Sequence, residues 1–310
     1  MHSCSLSTVW NIERHDNAAR LIEEVRSLGF SSVELNFKVP LSMFAQFEEA
    51  VARREIRITS THNYCPVPAG HAVEAANPDV PDLASIDEQT RKEAVLLTRD
   101  SIIAAARVGA AALVVHSGKV TSEARTRYII EIIKTAGKKK KKFKKVQNDA
   151  VAERREKQKE HFDALCTSYS ELVPVAREHN IVLGVENRFH YRELPSVAEF
   201  TALFRYFDPA VLRYWHDVGH AYILEQLGFY PENAFFASFY KRMAGMHIHD
   251  IIDLQDHQTP GSGVFKWDYF KRYDLRDIIK VFEVHHWNSS GGIKDAAAWF
   301  DSEIIPVKRA

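Results

Sequence analysis

The sequence has little cysteine and no long apolar run. Its three cysteines, Cys4, Cys65 and Cys166, form neither a disulfide framework nor a CxxC metal motif. Such sparse usage is typical of a reducing compartment, so we expect a cytoplasmic protein. No stretch approaches the roughly 18 apolar residues of a membrane-spanning helix, and residues 1–30 contain no apolar segment of the kind found in signal peptides. We therefore expect neither a disulfide-stabilised secreted domain nor a membrane protein.

The chain also lacks an excess of charge of either sign. Its 41 Lys and Arg residues balance 41 Asp and Glu residues. Seven of the lysines lie in one stretch, KKKKKFKK (138–145), and without them 34 basic residues face 41 acidic ones. A mildly acidic body disfavours a nucleic-acid surface, so a nucleic-acid partner is not expected. We interpret the lysine stretch itself as a solvated helix surface or a mobile loop.

Short apolar runs alternate with longer amphipathic stretches along the whole chain. The runs occupy residues 2–10, 31–37, 56–64, 111–118, 181–188, 211–219, 243–250 and 278–286. Eight strand–helix units predict an α/β fold, a (β/α)8 TIM barrel in which residues 1–310 form a single domain. A doubly wound sheet is the alternative, but no GxGxxG motif follows any run. Two stretches depart from the repeat: 65–88, with four prolines, predicts a long loop, and 120–180 predicts an extended, lysine-rich helical region.

Polar side chains stand at the ends of six successive runs. They are His62, His116, Glu186, Asp217, the pair His247 and His249, and the group Glu283, His285 and His286. The carboxyl ends of barrel strands meet at one rim, where active sites of this fold gather. Taken alone, Asp217 could simply cap the next helix, and one of the two histidines at 247 and 249 could be a core residue.

Glu186 and Glu283 are harder to explain as structural residues. Each stands in an apolar strand, and Glu is rarely buried without a partner. Three carboxylates and one imidazole at the rim would form a hard, mostly oxygen site, which suits Mn²⁺, Mg²⁺, Co²⁺ or Zn²⁺. The residues therefore indicate a divalent-metal site as well as acid–base groups.

Five motifs occur in a characteristic order. They are VENR (185–188), HDVGH (216–220), GMHIHD (245–250), DHQTPGSGVFKW (256–267) and VFEVHH (281–286). Together they resemble the xylose isomerase-like barrel superfamily, which includes sugar phosphate isomerases, tagatose-type epimerases, inosose isomerases and dehydratases, and endonuclease IV. The resemblance spans nearly all of the chain and implies a metal-dependent enzyme of carbohydrate metabolism.

The resemblance also implies roles for individual residues. The ligands of one divalent metal ion would be Glu186, Asp217, His247 and Glu283. We prefer His247 to His249 because the family pattern His-x-x-acid is met by His247 and Asp250. Glu186 and Glu283 would also be the catalytic acid–base pair, in an isomerase or epimerase that moves a proton through an enediolate. The remaining polar residues would bind a small carbohydrate substrate: His62, His116, Arg188, His220, His249 and His257. Phe37, Trp215 and Trp287 are candidate apolar walls, and the sequence leaves a homo-oligomer open.

Two departures from the relatives keep other functions open. The loop after the seventh run is longer than in the epimerases and offers no clear arginine for sugar hydroxyls. Endonuclease IV has an aspartate two residues before the position of His257, where this chain has Gln255. The main alternative is nevertheless an endonuclease IV-like phosphodiesterase with several zinc ions. Dehydratase or lyase chemistry would use the same first step, and a non-catalytic sugar-binding barrel would not require both glutamates.

Overall fold

The computed structural model describes residues 2–138 and 141–305, and its strands form the predicted barrel. The strands are β1 (Ser5–Ser7), β2 (Ser32–Leu35), β3 (Arg57–His62), β4 (Ala112–Val115), β5 (Val182–Glu186), β6 (Leu212–Asp217), β7 (Met243–Ile248), β8 (Asp250–Ile252), β9 (Gln255–Gln258) and β10 (Ile279–Phe282). All except β8 and β9 close into a parallel barrel in the order β1-β10-β7-β6-β5-β4-β3-β2. The predicted (β/α)8 fold is confirmed, and each barrel strand lies within one of the eight apolar runs.

Helices surround the barrel, and several of them begin at a residue whose side chain caps the first turn. They are α1 (Ala18–Ser27), α2 (Leu41–Ala52), α3 (Glu88–Arg107), α4 (Thr126–Ala136), α5 (Lys141–Glu178), α6 (Val197–Tyr206), α7 (Val218–Gln226), α8 (Ala234–Phe239) and α9 (Ser290–Trp299). Ser196 and Glu199 form a reciprocal capping box at the start of α6. Gly109, at φ 67°, follows the end of α3, as the sequence predicts. Within the described residues, no helix is both long and apolar enough to cross a membrane.

Alternate residues of the strands face the helices and the barrel interior. On β6, Tyr214 packs against Phe200 of α6, whereas Trp215 points into the barrel. A Cβ atom at Gly245 on neighbouring β7 would lie only 2.2 Å from Trp215. The indole therefore fills the interior beneath His247, with the two rings 5.3 Å apart. Trp215 is accordingly part of the core and not a wall open to substrate.

The lysine-rich region is a pair of helices rather than one continuous helix. Gly137, at φ 75°, follows α4, and α5 is described from Lys141 onward. Lys139 and Lys140 lie outside the described residues, as do Met1 and 306–310. The described lysines of the stretch are exposed, in agreement with a solvated surface. Phe143, the one residue of the stretch that is not a lysine, is buried in an apolar cluster with Ile129, Ile223 and Ile251.

An antiparallel hairpin separates β7 from β10, where the sequence predicts only a longer loop. Its strands β8 and β9 pair directly after β7. Asp250 anchors the segment that follows: its carboxylate accepts hydrogen bonds from the backbone N–H of Gly261, the backbone N–H of Phe265 and the indole N–H of Trp267. The hairpin thereby holds Asp256 and His257 over the carboxyl ends of the barrel strands.

Candidate functional site

Four buried side chains converge on one point at the carboxyl end of the barrel. Nδ1 of His247 lies 3.1 Å from Oε1 of Glu186 and 3.2 Å from Oε2 of Glu283. Oδ2 of Asp217 lies 3.6 Å from the same nitrogen. One potential ligand atom from each of the four residues lies within 4.8 Å of the others. The structure therefore brings together the four residues for which the sequence predicts a shared cation.

Asp217 has a structural and a site-facing contact at the same time. Its Oδ1 atom accepts a hydrogen bond from the backbone N–H of His220 at 2.7 Å, which caps α7. Its Oδ2 atom faces His247 and also lies 3.0 Å from Nε2 of His249. Asn187 holds the backbone, because its side-chain amide bonds both the N–H and the carbonyl of Asp217. Helix capping and a place in the cluster are thus compatible for this residue.

His249 supports the cluster from one side. Its Nε2 atom is bonded to Asp217, and its Nδ1 atom accepts a hydrogen bond from the backbone N–H of His257 at 2.9 Å. A Cβ atom at position 219 would lie 2.2 Å from the ring, so the HDVGH motif needs Gly219 there. Both ring nitrogens of His249 therefore have protein partners, whereas His247 directs Nδ1 into the carboxylates.

His62 and His116 form a second group with Glu186. Nε2 of His116 lies 2.9 Å from Oε2 of Glu186, and Nε2 of His62 lies 3.7 Å from the same oxygen. Arg188 also contacts this oxygen, at 3.1 Å, and makes a close contact with His116. Asp79, from the long loop after β3, joins the group through Nδ1 of His116 at 2.7 Å and Nη2 of Arg188 at 3.3 Å.

His220, Asp256 and His257 form a third group. Oδ2 of Asp256 lies 3.7 Å from Nε2 of His220 and 3.9 Å from Nε2 of His257. One potential ligand atom from each of the three lies within 4.8 Å of the others. Asp256, the neighbour of Gln255 in sequence, thus places a carboxylate near both histidines. A further combination, of His249 and His257 with Glu283, uses residues of the groups already described.

Three of the site histidines share one arrangement of their ring nitrogens. In His62, His220 and His257, Nδ1 lies 2.8–3.2 Å from a backbone carbonyl oxygen, to which only an N–H can donate. Their Nε2 atoms then present lone pairs toward carboxylates. This arrangement is typical of histidines that bind metals, because the outer hydrogen bond fixes both tautomer and ring orientation.

The electrostatic environment shifts the pKa values of the two candidate catalytic glutamates in opposite directions. Burial opposes ionisation of Glu186, but His116 and His247 outweigh it and hold the pKa of Glu186 well below its ordinary value. Burial raises the pKa of Glu283 to about 8, against the charge of His247 and with support from neighbouring carboxylates. In the metal-free protein the environment therefore favours the ionised form of Glu186 and the protonated form of Glu283.

The protonation of His247 follows from the same carboxylates. Burial disfavours its charge, but Glu283 and Glu34 outweigh burial and raise the pKa of His247 well above its ordinary value. An imidazolium therefore balances the carboxylates in the metal-free protein. Three carboxylates around one imidazole nitrogen provide the donor set that a hard divalent cation requires, so these residues fit such an ion.

Sequence reasoning missed three residues of this region: Glu34, Asp79 and Asp256. Glu34 is a glutamate in an apolar strand run, which is the same signal that singled out Glu186. It stands within its run rather than at the end, and its partner His247 comes from another part of the chain. Asp79 stands in a segment without periodicity, and no local signal distinguishes it from other loop aspartates. Asp256 is the first residue of the DHQTPGSGVFKW motif and precedes His257, and this position is the signal that could have found it.

Comparison with known proteins agrees with this architecture. A family model described as a xylose isomerase-like TIM barrel matches residues 22–303. No curated protein matches the chain by sequence.

The chain is similar in fold to several solved structures. A D-tagatose 3-epimerase-like protein is 18% identical, with a TM-score of 0.63 and coverage of 98% of this chain and 97% of the other. A 3-keto-D-glucoside 4-epimerase from E. coli is 13% identical, with a TM-score of 0.67 and coverage of 97% and 100%. A D-psicose 3-epimerase from Clostridium cellulolyticum H10 is 16% identical, with a TM-score of 0.65 and coverage of 99% and 100%. At these identities the similarity establishes the fold.

Proposed function

Because the chain belongs to the xylose isomerase-like TIM barrel family, we propose that it is a divalent-metal-dependent isomerase or epimerase acting on a sugar, a sugar phosphate or an inosose. The observation that carries this proposal is the convergence of Glu186, Glu283 and Asp217 on Nδ1 of His247 at 3.1–3.6 Å. The sugar epimerases among the structures of similar fold support the same class of substrate.

The four converging residues would hold one cation, Mn²⁺, Mg²⁺, Co²⁺ or Zn²⁺. When bound, the ion would act as a Lewis acid on the substrate carbonyl and its neighbouring hydroxyl. Glu186, which is ionised in the metal-free site, is suited to remove the proton next to the carbonyl. Glu283, which converges on the same position and whose pKa is raised by burial in the metal-free site, is suited to return one. The two residues exchange these roles in the reverse reaction.

The surrounding polar residues would position the substrate. His62, His220 and His257 present Nε2 toward the site, where each could bond a hydroxyl or a developing oxyanion. His116 would act mainly through Asp79 and Glu186, because both its ring nitrogens already pair with these carboxylates. Arg188 would act mainly through Glu186 and Asp79, since both already pair with its guanidinium. His249 would hold Asp217 in place rather than contact the substrate, because both its ring nitrogens are engaged.

The proposal is tested by a turnover screen of the purified protein with keto sugars, their phosphates, inososes and 3-keto-glucosides. Each reaction is run in D₂O with added Mn²⁺, Mg²⁺ or Co²⁺. We expect metal-dependent incorporation of deuterium next to the carbonyl of at least one substrate. Absence of exchange with every substrate and metal would contradict proton-transfer chemistry.

A second candidate function is an endonuclease IV-like phosphodiesterase with several zinc ions. The observation in its favour is that the potential cation groups overlap, with Glu186 shared between the four-residue cluster and the group of His62 and His116. The excess of acidic over basic residues outside the lysine stretch argues against it, because phosphate contacts require a basic face. Elemental analysis separates the two functions. About one metal ion per chain supports the isomerase, and about three zinc ions, with cleavage of DNA at abasic sites, would support the phosphodiesterase.

A further inference from the structure

Glu34 is a carboxylate buried in the barrel interior with very few polar partners. Its side chain is on β2 and is 0% exposed. Oε1 lies 3.1 Å from Nε2 of His247, and Oε2 lies 3.3 Å from the same nitrogen. The hydroxyl of Ser60 donates to Oε2 at 2.7 Å. These contacts join β2 to β7 across the interior of the barrel.

Such a carboxylate requires hydrogen-bond donors. A buried carboxylate without a donor is strongly unfavourable, so the short contact with His247 is best satisfied by an N–H at Nε2. A proton on Nε2 leaves Nδ1 as the nitrogen whose lone pair can bind a cation. Nδ1 is also the atom on which Glu186 and Glu283 converge. Glu34 therefore specifies which nitrogen of His247 faces the site.

The orientation of His247 is opposite to that of the other site histidines. His62, His220 and His257 direct Nδ1 to a backbone carbonyl and Nε2 to the site. A backbone carbonyl cannot serve His247 in this way, because its outward nitrogen points across the barrel interior, where β2 supplies a side chain. The carboxylate of Glu34 takes the place of the carbonyl.

We propose that Glu34 is a positioning residue for the metal site, which fixes the Nε2–H tautomer of His247 and thereby strengthens cation binding at Nδ1. The inference rests on the cation site of the proposed function. Outer hydrogen bonds of this kind typically change metal affinity by about 10- to 100-fold when they are removed.

The experiment measures metal binding without any substrate. The full-length protein is freed of metal with a chelator, and Mn²⁺ is titrated into the parent and into Glu34→Gln by calorimetry at one fixed pH. Gln has nearly the same shape, but as a neutral acceptor it holds the Nε2–H more weakly. We expect Kd for Mn²⁺ to rise about 10- to 100-fold.

The matched control is Glu199→Gln. Glu199 is also a buried carboxylate, paired with Arg154 at 2.6 Å, but it lies on α6 outside the barrel. Its loss should lower the melting temperature of the metal-free protein and leave Kd for Mn²⁺ unchanged. A Kd for folded Glu34→Gln within threefold of the parent would overturn the proposal, as would an equal loss of affinity in the control.

A second measurement uses the parent protein and decides the matter if Glu34→Gln does not fold. NMR spectra of the zinc-loaded protein, labelled with ¹⁵N at histidine, report which ring nitrogen carries a proton and which binds the metal. The proposal requires one histidine ring with zinc at Nδ1 and a proton at Nε2. The signals of this ring should be absent from the spectrum of His247→Gln. Coordination of His247 through Nε2 would overturn it. Failure of the parent to bind metal would overturn both this inference and the cation site, whereas binding without sugar turnover would overturn only the proposed activity.

Discussion

Asp79 Oδ1 lies 2.7 Å from Nδ1 of His116, although Asp79 belongs to the long loop after β3 and His116 directly follows β4. The same carboxylate contacts Arg188 at 3.3 Å. The loop is therefore tied to the group around Glu186 by one partly buried ion-pair network. Burial alone would raise the pKa of Asp79, but Arg188 and His116 outweigh burial and hold it below its ordinary value.

We expect Asp79→Asn to loosen this loop. An amide cannot balance Arg188, so the free energy of unfolding at pH 7 should fall by about 1–3 kcal/mol. The effect should disappear in acid, because a carboxylate with a lowered pKa stabilises the fold only while it is ionised. Denaturant unfolding and limited proteolysis of residues 65–88 measure the change. The control is Glu74→Gln in the exposed part of the loop, and equal behaviour of the two variants would contradict the prediction.

The barrel itself could be predicted because its determinants are local. Each buried parallel strand is an apolar run, and the carboxyl end of each run marks the rim where side chains meet. Glu186, Asp217, His247 and Glu283 stand at such ends, so their convergence followed from topology. Glu34 and Asp79 could not be placed in this way. Their partners are distant in sequence, and only the closed barrel and the path of an irregular loop bring them together.

The lysine stretch leads to a revised expectation. Exposed lysines alone suggest that residues 138–145 could be removed without harm, but Phe143 in this stretch is 3% exposed and packs with Ile129 and Ile223. We expect Phe143→Ala to lower the free energy of unfolding by about 3–5 kcal/mol, the usual range for a buried phenylalanine. Replacing Lys141, Lys142 and Lys144 together with Gln should change it by less than about 1 kcal/mol. Chemical denaturation measures the free energy of unfolding of both variants. Equal stability of Phe143→Ala and the triple lysine variant would contradict the prediction.

The raised pKa of Glu225 leads us to expect that the free energy of unfolding depends on pH. This dependence does not involve the candidate site. Burial raises its pKa from 4.5 to about 7, although backbone N–H groups of Asn233 and Ala234 oppose the shift. The folded state therefore binds the proton more tightly than the unfolded state. Stability from this group is present below pH 4.5 and is lost as pH rises through about 7.

Glu225→Gln should remove that dependence. The amide is neutral at every pH and can still accept from the backbone, so the variant should be more stable than the parent at pH 8, by about 1–2 kcal/mol after allowance for partial exposure. Near pH 4.5 the two proteins should differ little. Unfolding curves at both pH values measure this difference, with exposed Glu178→Gln as the control. A gain that is equal at both pH values would show that ionisation of Glu225 is not its cause.

The two glutamates of the cluster provide the strongest test of the proposed chemistry. Gln at position 283 keeps an oxygen that can coordinate weakly, fills nearly the same volume and cannot transfer a proton. Positioned acid–base groups typically contribute about 10²–10⁴-fold, so Glu283→Gln should slow solvent-deuterium exchange into the substrate by at least about 10²-fold. Glu186→Gln should behave alike, because proton removal and proton return each need a competent group.

The variant His285→Gln is the control for the two glutamate variants. It shows how much of any loss of exchange comes from a general disturbance of the site rather than from loss of an acid–base group. His285 stacks on His257 with ring centroids 3.9 Å apart, but it is not among the four residues that converge on the cation position. Its replacement should slow exchange far less than that of either glutamate. Mn²⁺ titration of all three variants shows whether a slow variant still binds the ion. If Glu283→Gln exchanges deuterium at the parent rate while metal remains bound, the two-glutamate mechanism is wrong. The cluster would then fit a hydrolytic metal centre better, because hydrolysis needs an activated water and no acid–base group on each side of a carbon.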